Sequence, residues 1–186
     1  DIQLEVKAPV PKGLNATLRP YQVDGFRFLA YLATNRFGGL LADDMGLGKT
    51  LQLITLLCQR KADGPSLVIA PTSLLAHWRG ELSRFAPDMS AHILNDSTGR
   101  EALIKEVGTS DVLICSYGLL VQARTALSER VWNILTFDEA QALKNSDTQR
   151  YQAASSLRAK GRVALSGTPI ENHLIELWSL FHVLNP

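Results

Sequence analysis

The 186-residue sequence is short of the groups that staple or anchor a protein. It has two cysteines, Cys58 and Cys115, far apart in apolar segments. No Cys-x-x-Cys or Cys/His cluster accompanies them, which excludes a disulfide scaffold and a zinc ribbon. Two buried, reduced thiols are expected instead. The four histidines, His77, His92, His173 and His182, show no ligand spacing. No apolar run approaches the roughly 18 residues of a membrane span. The N-terminal Asp1-Ile2-Gln3-Leu4-Glu5 lacks the basic-then-apolar form of a signal peptide. These absences point away from secretion and membranes, toward the cytoplasm (nucleoid) or nucleus. An excess of one charge is missing too: 19 Lys+Arg stand against 18 Asp+Glu. Attachment to nucleic acid by bulk charge is thereby excluded, although a local basic face is not.

What is present is an ordinary globular composition, 46% apolar and 20% charged. At about 150 residues per domain the length predicts one domain with a core of its own. Residues 1–17 contain Pro9, Pro11 and Gly13 without a sustained period and read as a lead-in or linker. From Pro20 a helix is expected, with Tyr21, Phe28, Leu29 and Leu32 forming its buried stripe. Beyond it, short apolar runs at 39–42, 67–70, 92–94, 112–115, 134–137 and 163–165 alternate with helical stretches at 49–60, 74–85, 100–107 and 148–158. Runs apolar throughout suit strands buried on both faces. Their alternation with helices predicts an α/β fold, a mostly parallel central sheet with helices on both faces.

Polar signals follow five of the six expected strands, and ligands of open parallel sheets bind beyond the strands' carboxyl ends. Gly46-Leu47-Gly48-Lys49-Thr50 follows a strand and opens a helix. Glycines there let backbone N–H groups close on phosphate oxygens at a helix N-terminus. Lys49 would reach the β- and γ-phosphates and Thr50 would hold Mg²⁺. The full G-x-x-x-x-G-K-[ST] pattern needs glycine at position 43, where this chain has Asp43. Asp138-Glu139-Ala140-Gln141 ends an apolar strand, where paired acids are costly unless a cation or phosphate site uses them. Asp138 would hold Mg²⁺ and Glu139 would polarise an attacking water. Ser166-Gly167-Thr168-Pro169 suits either a γ-phosphate sensor or a plain tight turn.

These motifs together resemble the first RecA-like lobe of helicase superfamily two, and within it the Swi/Snf-type ATPases. The matching text runs from Leu18-Arg19-Pro20-Tyr21-Gln22 through Ala42-Asp43-Asp44-Met45-Gly46-Leu47-Gly48-Lys49-Thr50 and Ala70-Pro71-Thr72-Ser73. It continues with Trp78, Glu81, Asp138–Gln141, Lys144-Asn145, Ser166–Asn172 and Glu176-Leu177-Trp178. In this family Asp43 is no anomaly. The resemblance implies that residues 18–186 form the first lobe of a RecA-like P-loop ATPase, with the second lobe outside this chain. It implies ATP and Mg²⁺ as cofactors, with Gln22 pairing the adenine edge beside Asp43, Asp44, Met45 and the rest of the phosphate loop. It implies that Pro71, Thr72, Ser73, Lys144 and Asn145 meet the backbone of double-stranded DNA without reading sequence. Gln141 stands where His is usual; with Ser166, Gly167 and Thr168 it would couple the nucleotide to movement, since an amide hydrogen-bonds in both directions as imidazole does.

Other readings stay open. Gln22 suits an exposed first-turn residue, residues 71–73 suit a helix N-cap, Lys144 suits a solvated lysine, and Trp78 and Trp178 suit helix packing. The implied function is the ATP-binding lobe of a double-stranded-DNA translocase or remodeller, nearly inactive without its second lobe. Half of an RNA helicase and a non-catalytic, nucleotide-responsive module are the alternatives.

Overall fold

The computed structural model describes residues 8–42, 48–96, 98–167 and 174–186. Six strands are described: β1 (Gly39–Ala42), β2 (Ser66–Ala70), β3 (Ser90–Ile93), β4 (Asp111–Ser116), β5 (Val131–Phe137) and β6 (Arg158–Ser166). All pair in parallel, in the order β1-β6-β5-β2-β4-β3. The helices are α1 (Pro20–Thr34), α2 (Lys49–Gln59), α3 (Leu75–Phe85), α4 (Arg100–Glu106), α5 (Tyr117–Gln122), α6 (Arg124–Ser128), α7 (Gln149–Ser155) and α8 (Leu174–Leu184).

The continuous apolar runs are explained by two cores, one on each face of the sheet. Leu67, Ile69, Leu113, Cys115, Leu135 and Phe137 face the core built with α4 to α8. Val68, Ala70, Val112, Ile114 and Ile134 face the core built with α1, α2 and α3. Alternation with period two is thus complete, but both sets are apolar because both faces are covered. Each such Leu, Ile or Val contributes about 1.5–3 kcal/mol of transfer free energy.

Three local expectations are corrected. The buried face of α1 is Gln22, Phe26, Leu29, Ala30 and Ala33, whereas Tyr21 and Phe28 are exposed. The helix carries two apolar stripes, and the one with alanines packs against the body because small side chains permit close approach. The stretch expected to be helical to 158 stops at Ser155, and Arg158 already pairs with Val131 of β5. Helices α5, α6 and α8 had no counterpart in the periodic pattern. Residues 8–17 form neither helix nor strand, yet they are fastened to the body. Ala8 is buried, the Asn15 N–H donates to the Phe85 carbonyl at 2.7 Å, and Arg27 donates to the Ala8 carbonyl at 3.4 Å.

Arginines do structural work in the lower half of the fold. Arg130 donates to the carbonyls of Ile104, Lys105 and Val107 at the end of α4 and lies over the Trp132 ring. Arg162, buried in β6, donates to the Val183 carbonyl and so ties α8 to the sheet. The Gly38 N–H donates to Asn185 Oδ1 at 2.8 Å, joining the end of α8 to the start of β1.

Candidate nucleotide and nucleic-acid clefts

Because every strand runs the same way, the carboxyl ends of β1, β6, β5, β2 and β4 lie along one edge in that order. The residues after β1, β6 and β5 meet in a cleft of about 490 Å³ lined by Gly48, Lys49, Thr50, Asp138, Glu139 and Gly167 among others. Those after β5, β2 and β4 meet in a second cleft of about 450 Å³, lined by Glu139, Gln141, Pro71, Thr72, Gly118 and Arg150 among others. Glu139 lines both.

The first cleft is built to receive an anion. Gly48 caps α2 in the left-handed region, φ 75° and ψ 36°, with no side-chain cap and no acid in the first turn. No described side chain caps the start of this 11-residue helix, an end whose N–H groups and dipole favour an anion. Lys49 Nζ donates to the Ser166 carbonyl at 3.1 Å, which holds the ammonium between the ends of β1 and β6. A Cβ at Gly48 would stand 2.3 Å from Gln22 Nε2. Gln22 itself is only 7% exposed, and its Oε1 accepts from the Arg19 N–H at 2.9 Å. The exposed-polar alternative for Gln22 is thus overturned: it is a buried first-turn residue packed on the last described glycine of the loop.

The acidic pair follows β5 under close restraint. Asp138 Oδ1 accepts from the Glu139 N–H at 2.9 Å and Oδ2 from the Trp78 indole at 2.8 Å. Its carbonyl accepts from the Tyr117 hydroxyl at 2.7 Å. Burial raises the Asp138 pKa; the Trp78 and Glu139 donors pull it back in part, the Glu139 charge raises it further and Lys49 lowers it. Burial, with the Asp138 and Glu139 charges adding to it, pushes the Tyr117 phenol far up, so that it remains a neutral donor. Glu139 sits at φ 50°, ψ 53° where the chain turns from β5 into a 3-10 turn at Ala140–Leu143. A left-handed non-glycine residue costs about 1–2 kcal/mol and is typical of functional turns. Gln141 then bridges: its Nε2 donates to Glu139 Oε2, and its Oε1 accepts from Ser166 Oγ at 3.3 Å.

An ammonium, an uncapped helix start, a hydroxyl and a half-buried carboxylate within one cleft fit a phosphate with its divalent cation. Thr50 and Asp138 would supply hard oxygen ligands to such a cation. Among the described residues no group of three His, Cys, Asp or Glu could hold a metal alone, so phosphate oxygens would complete the shell. No described helix is long and apolar enough to cross a membrane.

Comparison with known proteins agrees with this geometry. The family model for the SNF2-related domain matches residues 21–186. The chain belongs to the SNF2-related domain family. The Sulfolobus solfataricus SWI2/SNF2 ATPase core in complex with dsDNA superposes with a TM-score of 0.84 at 40% identity, covering 95% of this chain and 37% of that one. Among curated relatives, Helicase SWR1 of Saccharomyces cerevisiae is 40% identical over 97% of this chain and 12% of its own length. The ISWI chromatin-remodeling complex ATPase ISW1 of the same yeast is 40% identical over 95% of this chain and 16% of its own. The chain thus spans a small part of the length of these relatives. The all-parallel sheet flanked by helices is the RecA-like α/β fold.

Within this SNF2-related domain, the expected site residues fall into four groups. Gln22, Gly48, Lys49, Thr50, Asp138, Glu139, Gln141, Ser166 and Gly167 converge on or beside the first cleft. Pro71 and Thr72 line the second. No side chain caps the turn at residues 72–74 or the start of α3, so the N-cap alternative for 71–73 is not the one built. Ser73, Lys144 and Asn145 are exposed and do not line that cleft. Asn145 Oδ1 accepts from the Asp147 N–H at 2.9 Å, within the turn leading to α7. Asp43, Asp44, Met45, Gly46, Leu47 and Thr168 lie outside the described residues. Trp178, expected to pack, is 63% exposed and stacks on His182.

Two lining residues escaped the sequence reading, as did the bond of a third residue that lines neither cleft. Arg150, which belongs to none of the sequence motifs, is carried into the second cleft by α7. His77, with Glu81 one turn later, faces the first cleft from α3. Trp78, taken as packing only, holds Asp138. No local signal marks Arg150; its place depends on which strands are neighbours.

Proposed function

We propose that residues 18–186, with residues 1–17 leading into them, are the first RecA-like lobe of an ATP-dependent double-stranded-DNA translocase. The observation that carries the reading is Glu139, shared by a phosphate-fitting cleft and a groove of hydroxyl, amide and guanidinium groups. When bound, Mg–ATP supplies the phosphoanhydride whose cleavage drives movement. Gln22, packed beside Gly48, would meet the base. Lys49 neutralises phosphate charge, and Thr50 with Asp138 holds the cation. Glu139 accepts the proton of the attacking water, a role worth about 10²–10⁴ in rate. Gln141 ties that carboxylate to Ser166, so a shift beyond β6 moves the base.

In the second cleft Thr72 and Arg150 offer a donor hydroxyl and a cation to phosphodiester oxygens, and the exposed Ser73, Lys144 and Asn145 would extend the contact outside the cleft. Such contacts hold a strand without reading bases. The relative solved with dsDNA supports DNA over RNA as the track. No arginine lines the first cleft among the described residues, so the charge built on the γ-phosphate is completed from a second lobe. The test is steady-state phosphate release by the full-length protein. Stimulation by double-stranded DNA, independent of sequence and absent with RNA, is expected. Equal stimulation by RNA would shift the reading to an RNA helicase. No hydrolysis with either, despite nucleotide binding, would leave a non-catalytic module.

A further inference from the structure

We infer that Trp78 is a positioning residue that fixes the carboxylate plane of Asp138 for its cation. The inference rests on the reading above that Asp138 holds a divalent cation beside a nucleotide. Trp78 lies on α3, 60 positions before Asp138, and is fully buried. Its indole N–H reaches Asp138 Oδ2 at 2.8 Å while the Glu139 N–H takes Oδ1 at 2.9 Å. Two donors from separate elements thus clamp the two oxygens, and each oxygen keeps a lone pair for the cation. A buried indole needs some acceptor, but that need does not explain a carboxylate. Trp132 is equally buried and satisfies its N–H with the Leu127 carbonyl at 3.0 Å. Spending an indole on a charged acceptor gives a shorter, stronger and more directional bond. Partners of this kind orient metal ligands in known sites. Asp138 also has its carbonyl held by Tyr117 at 2.7 Å, so the backbone below the carboxylate is fixed as well.

The test is ADP binding by the chain, measured calorimetrically in excess Mg²⁺ and again in excess EDTA. The wild type should bind more tightly with Mg²⁺. Trp78→Phe should lose about 10–100-fold of affinity in Mg²⁺ and almost none in EDTA. Trp132→Phe, which removes an equally buried indole bonded to a backbone carbonyl instead, should keep the full Mg²⁺ gain. Equal losses with and without Mg²⁺, or a retained gain in Trp78→Phe, would overturn the inference. If Trp78→Phe does not fold, the wild-type indole resonances decide. They are assigned by their loss in Trp132→Phe and Trp178→Phe. The remaining Trp78 signal should shift when Mg²⁺ is added to the ADP complex, and an unmoved signal would overturn the role. Absence of any Mg²⁺ gain in the wild type would instead remove Asp138 as a cation ligand, and this inference with it.

Discussion

Replacing Gly48 with alanine tests the contact that joins α1 to the start of α2. Two costs add. At φ 75° a Cβ is strained by about 1–2 kcal/mol. That Cβ would also stand 2.3 Å from Gln22 Nε2, closer than any real contact. Gln22 must move, and its buried bond to the Arg19 N–H is lost, at about 0.5–1.5 kcal/mol. The sum is about 1.5–3.5 kcal/mol, or about 3–14 °C in Tm for a domain of this size. Urea unfolding of Gly48→Ala, Gln22→Ala and the double variant separates the two costs. Once Gln22 is truncated, the alanine at 48 meets only the backbone penalty. The double variant should therefore be about 1 kcal/mol more stable than the sum of the singles predicts. Additivity within about 0.3–0.5 kcal/mol would mean that the two residues do not touch, and the packing of Gln22 on the loop would have to be abandoned.

Other outcomes follow from the same geometry. Glu139→Gln in the full-length protein should leave ATP binding intact and lower turnover by about 10²–10⁴, and unchanged turnover would remove Glu139 as the base. Arg150→Ala should reduce the log–log salt slope of DNA binding by about one, equally on all sequences; an unchanged slope would take Arg150 off the track. Gln141→Leu cuts the bridge between Glu139 and Ser166, so nucleotide affinity should persist while DNA-stimulated hydrolysis falls; full stimulation would show that the bridge couples nothing. Burial pushes the Cys115 thiol up to about 12 and raises Cys58 as well. The folded thiol keeps its proton after the unfolded one loses it, so Cys115 should cost stability as pH rises above about 8.5, by about 1.4 kcal/mol per pH unit. Both thiols should react with a disulfide reagent only in denaturant; rapid labelling of the folded protein would contradict their burial.

The strands were legible because this sheet is covered on both faces. Leu67–Ala70 and Val112–Cys115 are apolar at every position, a pattern that needs no knowledge of neighbours. That Lys49-Thr50 opens a helix and Asp138-Glu139 follows a strand was legible because each pair adjoins an apolar periodic segment. Helix α1 was legible in place but not in orientation, since Tyr21 and Phe28 compete with Phe26 and Ala30 for the core and only the packed sheet chooses between them. The start of β6 at Arg158 was missed because Arg158, Lys160 and Arg162 look solvated, whereas ladder pairing with β5 makes them strand.

What the sequence determined by itself was the set of chemical groups and the kind of element each follows, because both are local. Only the tertiary structure decided which of those groups face one another. Insertion of β6 and β5 between β1 and β2 brings Lys49 to Ser166, makes Glu139 common to two clefts and admits Arg150 to the second. The Trp78–Asp138 bond spans 60 residues and exists only because α3 packs on the sheet face that it shares with Ile134 of β5. Strand order arises from hydrogen-bond ladders between distant segments, and no short window of sequence contains both partners of a ladder.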